Sequence, residues 1–304
     1  MSKKYSELAE LFRSEKTDEE ILDFLLNYHK NDIADMMAGM TEEERKRLYH
    51  LLGAQKVAEI FKYIEEPRKY IRELSVESAA RVISEMDSDD AVDLLEDLDP
   101  EEKEQIVRML DEDAKKDVKM LLSYDEEEIG SCMTTNYICI PEDLTIKQAV
   151  SELVKQAGEN DNIMTIYVVD EKGVFAGAID LKDLIRAREN THLEDLVLKS
   201  YPYVTDHEKI DDCMDRILDY AEDSIPVLSE DKKILGVITS EDLIEMVDNE
   251  MGEDYAKLAG LTAEEDLKEP IVQSMKKRLP WLIILLFLGM GVSSVVGLFE
   301  NVVA

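Results

Sequence analysis

Two stretches of twenty residues, IYVVDEKGVFAGAIDLKDLI at 166–185 and IPVLSEDKKILGVITSEDLI at 225–244, align without a gap at an offset of 59. Val168 falls on Val227, Gly177 on Gly236, Ile179 on Ile238, Asp183 on Asp242 and Leu184 on Leu243. Upstream, Tyr137 and Ile146 match Tyr201 and Ile210 at an offset of 64, so the second copy is five residues shorter before its central strand. Hydrophobic patterning gives each copy the order strand, helix, strand, turn, strand, helix. In the first copy these elements fall at 137–140, 146–155, 163–169 and 174–179, with a helix from Leu181. Two β-α-β-β-α units, at 126–190 and 191–250, are expected to pack sheet against sheet as one pseudo-symmetric module.

The first 125 residues carry a different repeat. An apolar residue followed by a polar residue or glycine recurs at Met40-Thr41, Leu52-Gly53, Ile64-Glu65, Leu74-Ser75, Met86-Asp87, Leu98-Asp99, Leu110-Asp111 and Leu122-Ser123, and six of the seven steps are 12 residues. Each unit has apolar positions at helical spacing, such as Ala91, Leu94, Leu95 and Leu98. Each also has a polar cap with acids in the first turn, such as Asp99-Pro100-Glu101-Glu102. Helices of about two turns are not stable alone, so neighbours must stack into an acidic α-helical superhelix over 1–125.

Residues 280–299 (PWLIILLFLGMGVSSVVGLF) are 20 positions without a charge, and about 20 helical residues cross a ~30 Å hydrocarbon layer. A transmembrane helix is expected there. Lys276, Lys277 and Arg278 precede it and Trp281 marks an interface, which places 1–279 in the cytoplasm. Gly289, Ser293 and Gly297 form a small-residue stripe on which another helix could pack. The chain stops at Ala304, so such helices must come from elsewhere. Residues 251–279 connect the second copy to this span.

Seventy Asp plus Glu against 35 Lys plus Arg give a net charge of −35, which repels phosphate backbones and excludes nucleic acid as a partner. Cys132, Cys139 and Cys213 form no Cys-x-x-Cys pair, and the four histidines are scattered, so neither zinc site nor disulfide framework is expected. No Ser/His/Asp set or phosphate loop can be assembled. The chain reads as a non-enzyme with no catalytic residues.

The acids are not spread evenly. Residues 83–102 hold ten acids and no base, and residues 234–256 hold seven acids and no base. On the first stretch Asp89, Asp93, Glu96 and Asp97 lie opposite the apolar stripe; on the second, Asp242, Glu245, Asn249 and Glu253 line one helix face. Two like charges ~6 Å apart repel by ~0.7 kcal/mol in water and ~3 kcal/mol at an effective dielectric of 20. Faces of this kind are either solvated or bridged by cations.

The tandem copies resemble cystathionine-β-synthase (CBS) domains, whose copies commonly end in Gly-hydrophobic-x-Ser/Thr-x-x-Asp. Gly236-Val237-Ile238-Thr239-Ser240-Glu241-Asp242 matches, whereas the first copy carries Asp180 at the Ser/Thr position, where a carboxylate would repel phosphate. The whole order, an acidic helical array, an EIGSCMTT segment, a CBS pair, an acidic helix and KKRLPWLIILLFLGM, resembles the MgtE family of magnesium transporters along essentially all 304 residues. That resemblance implies a homodimeric inner (plasma) membrane Mg2+ channel whose cytosolic part senses Mg2+ and favours the closed state. Family members continue into further membrane helices that supply the ion path, and these are missing here. By resemblance the Mg2+ ligands are Asp89, Asp93, Asp242, Glu245, Glu250, Glu253 and Asp254. Thr239 and Asp242 would hold ATP, the hydroxyl suiting a phosphate and the carboxylate a ribose. The alternative is a membrane-anchored CBS regulatory or adenine-nucleotide-sensing protein without transport activity.

Overall fold

The computed structural model describes residues 17–64, 66–158, 160–188, 190–247, 279, 283–284 and 286–292. The chain divides into two compact units, 1–240 and 241–304.

In the first unit the 12-residue repeat becomes a run of helices: α1 (Asp18–Leu25), α2 (Lys30–Met37), α3 (Glu42–Phe61), α4 (Pro67–Ile71), α5 (Val76–Ser84), α6 (Ser88–Glu96), α7 (Pro100–Met109) and α8 (Glu112–Leu121). The breaks read from sequence become helix starts: Thr41, Ser75, Asp87, Asp99 and Asp111 are N-cap residues. Gly53, with φ of 76°, interrupts α3 instead of ending it. Helices pack on their next-but-one neighbours, α3 on α5, α5 on α7 and α6 on α8. Each contributes a buried stripe; for α6 it is Ala91, Val92, Leu94 and Leu95. At ~1.5–3 kcal/mol per fully buried large apolar side chain, stacking supplies what helices of two turns lack alone.

Residues 138–239 form the two expected copies. In the first, β1 (Ile138–Pro141), α9 (Ile146–Gln156), β2 (Thr165–Val169), β3 (Phe175–Asp180) and α10 (Leu181–Arg186) follow in order; β4 (Val204–Thr205), α11 (Ile210–Tyr220), β5 (Ser224–Leu228) and β6 (Ile234–Thr239) repeat it. Each sheet has a parallel first pair and an antiparallel second pair. Residues 240–247 are helical. The side-chain amide of Gln156 covers the outer edge of β1 by pairing both ways with the Cys139 backbone, at 3.0 and 2.9 Å.

The copies join reciprocally. Thr134, ahead of β1, pairs with Val237 on β6, and Leu198, ahead of β4, pairs with Ala178 on β3. Between the sheets sit Tyr167, Ala178, Tyr201 and Val237, flanked by Tyr137, Phe175 and Ile234. Tyr167 is fully buried, with its hydroxyl 2.6 Å from Ser224 Oγ. Tyr201 donates to the Ser224 carbonyl at 2.8 Å. Buried hydroxyls with fixed partners set one register between the copies.

Among the described residues no helix is long and apolar enough to cross a membrane. Most of 280–299, all of 251–278, and Glu250, Glu253 and Asp254 lie outside the described residues.

Candidate functional site

A cleft of about 630 Å³ opens where the helical domain meets the first CBS copy. It is lined by Glu59 of α3, Asp87 and Ser88 at the start of α6, Asp113 and Asp117 of α8, and Thr135, Asn136 and Asp161 of the CBS copy. Glu85 and Asp111 also reach it, and among the described residues no Lys or Arg lines it. Two of the lining acids have cationic partners outside the lining: Lys30 pairs with Glu59 at 2.9 Å and Lys62 stands 3.6 Å from Asp87. An open cleft with this lining favours hydrated cations and disfavours anions.

Two of these acids are held by direct hydrogen bonds across the cleft. Asn136 Nδ2 donates to Asp87 Oδ1 at 2.7 Å. Thr135 Oγ1 donates to Asp117 Oδ2 at 2.7 Å, and the Thr135 backbone N–H donates to Ser88 Oγ at 2.9 Å. Asn136 is itself fixed, because its Oδ1 accepts from the Asp161 N–H at 2.9 Å and its carbonyl from Asn162 Nδ2 at 3.0 Å.

A second contact joins the segment after α8 to the second copy. Ile129 and Gly130 donate backbone hydrogen bonds to the carbonyls of Glu208 and Asp206 at 2.8 and 2.9 Å. Tyr124 donates to Asp206 Oδ2 at 3.1 Å, and His207 Nδ1 lies 2.9 Å from Glu128 Oε1. That hydrogen bond, followed by the charge of Asp206, pushes His207 up from its ordinary value. Burial, with Asp206 adding to it, pushes the Tyr124 hydroxyl to about 12.

Of the residues singled out in the sequence, Asp89 and Asp93 stand one turn apart on α6, Asp89 half-buried and Asp93 exposed. Thr239 ends β6 opposite Ser224, and Asp242 and Glu245 follow in the helical stretch. Among the described residues no group of three or more His, Cys, Asp or Glu side chains converges on a metal-sized point. At the equivalent place in the first copy, Asp180 is opposite Thr165. Burial, and then the charge of Asp180, push the Glu222 carboxyl up. Asp180 thus puts negative charge at the first copy's motif. Asp87, Asp117, Thr135 and Asn136 did not stand out in the sequence. Asp87 reads there as one more helix cap, and the available signal was the MTT that ends the EIGSCMTT segment with the Asn that follows it.

Residues 28–127 match the family model described as the MgtE intracellular N domain, and 127–190 and 193–249 match the CBS domain. The magnesium transporter MgtE of Enterococcus faecalis is 37% identical over 308 residues, covering 100% of this chain and 68% of the relative. The chain belongs to the MgtE family of magnesium transporters. The MgtE of Thermus thermophilus is 32% identical over 184 residues, 59% of this chain and 40% of that protein. This chain therefore spans about two thirds of one MgtE relative and matches less than half of another. Among solved structures, the soluble part of a magnesium transporter superposes with a TM-score of 0.77 at 29% identity, covering 81% of this chain and 98% of that one. The cytosolic domain of the Mg2+ channel MgtE in complex with ATP gives a TM-score of 0.70 at 26% identity, over 80% and 99% of the two chains. The expected helical domain and CBS pair are thus the architecture of MgtE cytosolic regions, and the relatives are transporters and channels.

Proposed function

We propose that this chain is the Mg2+-sensing and gating part of an MgtE-type Mg2+ channel, together with its first membrane helix, in which Mg2+ between acidic faces favours the closed state. The observation that carries this is the match to a magnesium transporter along the whole chain, joined to an acidic cleft whose lining carries no base. Asp89 and Asp93 in the helical domain, and Asp242, Glu245, Glu250, Glu253 and Asp254 beyond the CBS pair, are the proposed ligands. Weak sites suit a sensor: a dissociation constant of ~1 mM is worth ~4 kcal/mol, and moving an equilibrium from 1:99 to 99:1 takes ~5.5 kcal/mol of differential binding, so several must act together.

Residues 1–125, 126–190, 191–250, 251–279 and 280–299 are the proposed divisions: helical superhelix, two CBS copies, connecting helix and transmembrane helix. In the last of these, Leu286, Phe287, Leu288, Met290 and Val292 are all more than half exposed on one helical stretch, which in water would be unfavourable and in lipid is not. The inner membrane, with 1–279 in the cytoplasm, is the proposed location.

ATP is the second proposed ligand, at Thr239 and Asp242, supported by the ATP complex of the related cytosolic domain and by Thr239 standing where the first copy has Asp180. A homodimer through the CBS pair is supported by exposed apolar residues at equivalent places in both copies, Val154 with Leu218 and Ile185 with Ile244.

Small-angle scattering of the chain across a Mg2+ titration tests the sensing reading. Mg2+ should compact the protein where K+ at equal ionic strength, which screens without bridging, does so only in part. Asp89→Ala with Asp93→Ala should raise the Mg2+ needed, as should Glu253→Ala with Asp254→Ala, while His29→Ala should not. An unchanged radius of gyration between EDTA and ~20 mM Mg2+, enough to saturate a ~1 mM site, would reduce the acidic stripes to solvated faces.

A further inference from the structure

We propose that Lys30 and Lys62 set the Mg2+ concentration at which the chain responds, standing as built-in counterions on the cleft acids Glu59 and Asp87 with which entering Mg2+ must compete. This rests on the sensing reading above and adds to it the residues that fix its threshold.

Seven acids line the cleft. Among the described residues two of them have a cation within ion-pair distance, Glu59 with Lys30 at 2.9 Å and Asp87 with Lys62 at 3.6 Å. Lys30 is the first residue of α2, the place where α1, α3 and α8 each open on an acid. A cation there opposes the helix dipole, a cost that Glu59 of α3 offsets. Lys62 is the C-cap residue of α3, one turn beyond Glu59. Asp87, at the N-cap of α6, makes no cap hydrogen bond; one of its carboxylate oxygens accepts from Asn136 and the other faces Lys62. All four residues of the two pairs belong to the helical domain. The lysines therefore neutralise part of that domain's share of the cleft and leave the junction with the CBS copy to cations from solution.

Both pairs are of a kind that exchanges. The side chains of Lys30 and Lys62 are 46% and 30% exposed, and ion pairs open to water hold weakly. Arg45 and Glu73 of the same domain show the alternative, a guanidinium on both oxygens of a carboxylate, with the two side chains 8% and 10% exposed. A lysine instead offers a compact, hydrated charge on a flexible stem. Mg2+ brings two charges to a place where a lysine brings one. An acid freed of its lysine attracts the dication twice as strongly as it repels a neighbouring carboxylate at equal distance. Removing a lysine therefore favours Mg2+ binding more than it favours separation of the acidic faces. Glu59 and Asp87 need no direct bond to the metal, because Mg2+ keeps most of its water and feels their charge through it. Their part is thus separate from that of the proposed ligands Asp89 and Asp93.

The midpoint of a Mg2+ titration tests this, read on the full chain in detergent by chymotrypsin accessibility, which does not depend on lysine as a cleavage site. At ~50 mM KCl, where screening is modest, Lys30→Gln and Lys62→Gln should each lower the midpoint by about threefold, and together by about tenfold. At ~500 mM KCl these shifts should shrink to less than about 1.5-fold, as a Coulombic effect does and a packing effect does not. Lys62→Arg keeps the charge and grips a carboxylate better, so its midpoint should equal or exceed that of the unsubstituted chain. Lys46→Gln, which releases Glu42 at the other end of α3, outside the cleft lining, should leave the midpoint where it was. A Mg2+ response with the same or a higher midpoint in Lys30→Gln and Lys62→Gln, or a shift that ignores KCl, overturns the role of the lysines and leaves the sensing reading standing. No Mg2+ response in the unsubstituted chain sinks the sensing reading itself, and the threshold with it.

Discussion

Gly177 and Gly236 do the same work in the two CBS copies. A Cβ on Gly177 would stand 2.6 Å from the Leu198 carbonyl oxygen, and one on Gly236 would stand 2.7 Å from that of Thr134. Each glycine lets the leading segment of the opposite copy cross its strand. Gly177→Ala and Gly236→Ala should each destabilise the pair by about 1–3 kcal/mol through overpacking against backbone that cannot swing away. Gly177→Ala should be the worse, since its φ of 150° is also unfavourable for a residue with a side chain. Chemical denaturation of the two variants checks both the size and the order.

A comparable dependence on one residue holds the helical domain together. Arg45 is buried on α3, its guanidinium paired with both carboxylate oxygens of Glu73, donating also to the Met37 and Met40 carbonyls and lying 5.2 Å over the Tyr70 ring. Arg45→Ala should cost about 3–5 kcal/mol, because Glu73 would be left as a buried, unpaired charge. Arg45→Met combined with Glu73→Leu should recover a good part of that, since no charge is then stranded. A double-mutant cycle by thermal unfolding gives both numbers.

The offsets of 59 and 64 read from the sequence recur as physical contacts. Ala178 and Val237 are one offset apart, Thr134 and Leu198 the other, and these four residues make the two reciprocal bridges between the copies. Duplication is legible because it preserves apolar spacing and the obligatory glycines. The helical repeat was legible for a similar reason: Thr41, Ser75, Asp87, Asp99 and Asp111 are all capping types followed by acids. The docking of one domain on the other was not legible. In it Asp87 abandons its cap and Asn136 reaches Asp87, a choice between local and long-range hydrogen bonds that only the fold decides. The Arg45–Glu73 pair, 28 residues apart, leaves no periodic trace either.

Val154 on α9 and Ile185 on α10 are 69% and 70% exposed on helices that touch one another. Replacing both with Asp should turn the proposed dimer into monomer in sedimentation at tens of micromolar while the circular dichroism spectrum stays unchanged, because neither side chain belongs to the buried core. Replacing exposed Val76 of the helical domain in the same way should leave the oligomeric state alone. Equal sedimentation of all three proteins would remove this face from the proposed dimer interface.

The contact of His207 with the segment after α8 carries a pH dependence whose sign follows from its surroundings. His207 faces Glu128 at 2.9 Å and Asp206 at 3.8 Å, with the Tyr124 ring 5.3 Å away, while the neighbouring charges Lys209 and Arg216 are paired with Glu127 and Glu208. The Glu128 hydrogen bond and then the Asp206 charge raise His207 above its ordinary 6.5, so its contribution is fully present below that value and is lost as pH rises through the raised one. Glu128 is lowered from 4.5, first by the Asp125 backbone N–H and then by His207, so its contribution is present above 4.5 and lost as pH falls through the lowered value. Tyr124, pushed to about 12, keeps donating to Asp206 throughout. The segment is therefore held best between 4.5 and 6.5 and loosens toward alkaline pH. Exchange of the Ile129 and Gly130 amides, corrected for intrinsic chemistry, should quicken as pH rises above 6.5. His207→Gln, which cannot take the proton, should exchange at the faster rate already at the acid end and show no such step. A step of the same size in His207→Gln would mean that some other group titrates.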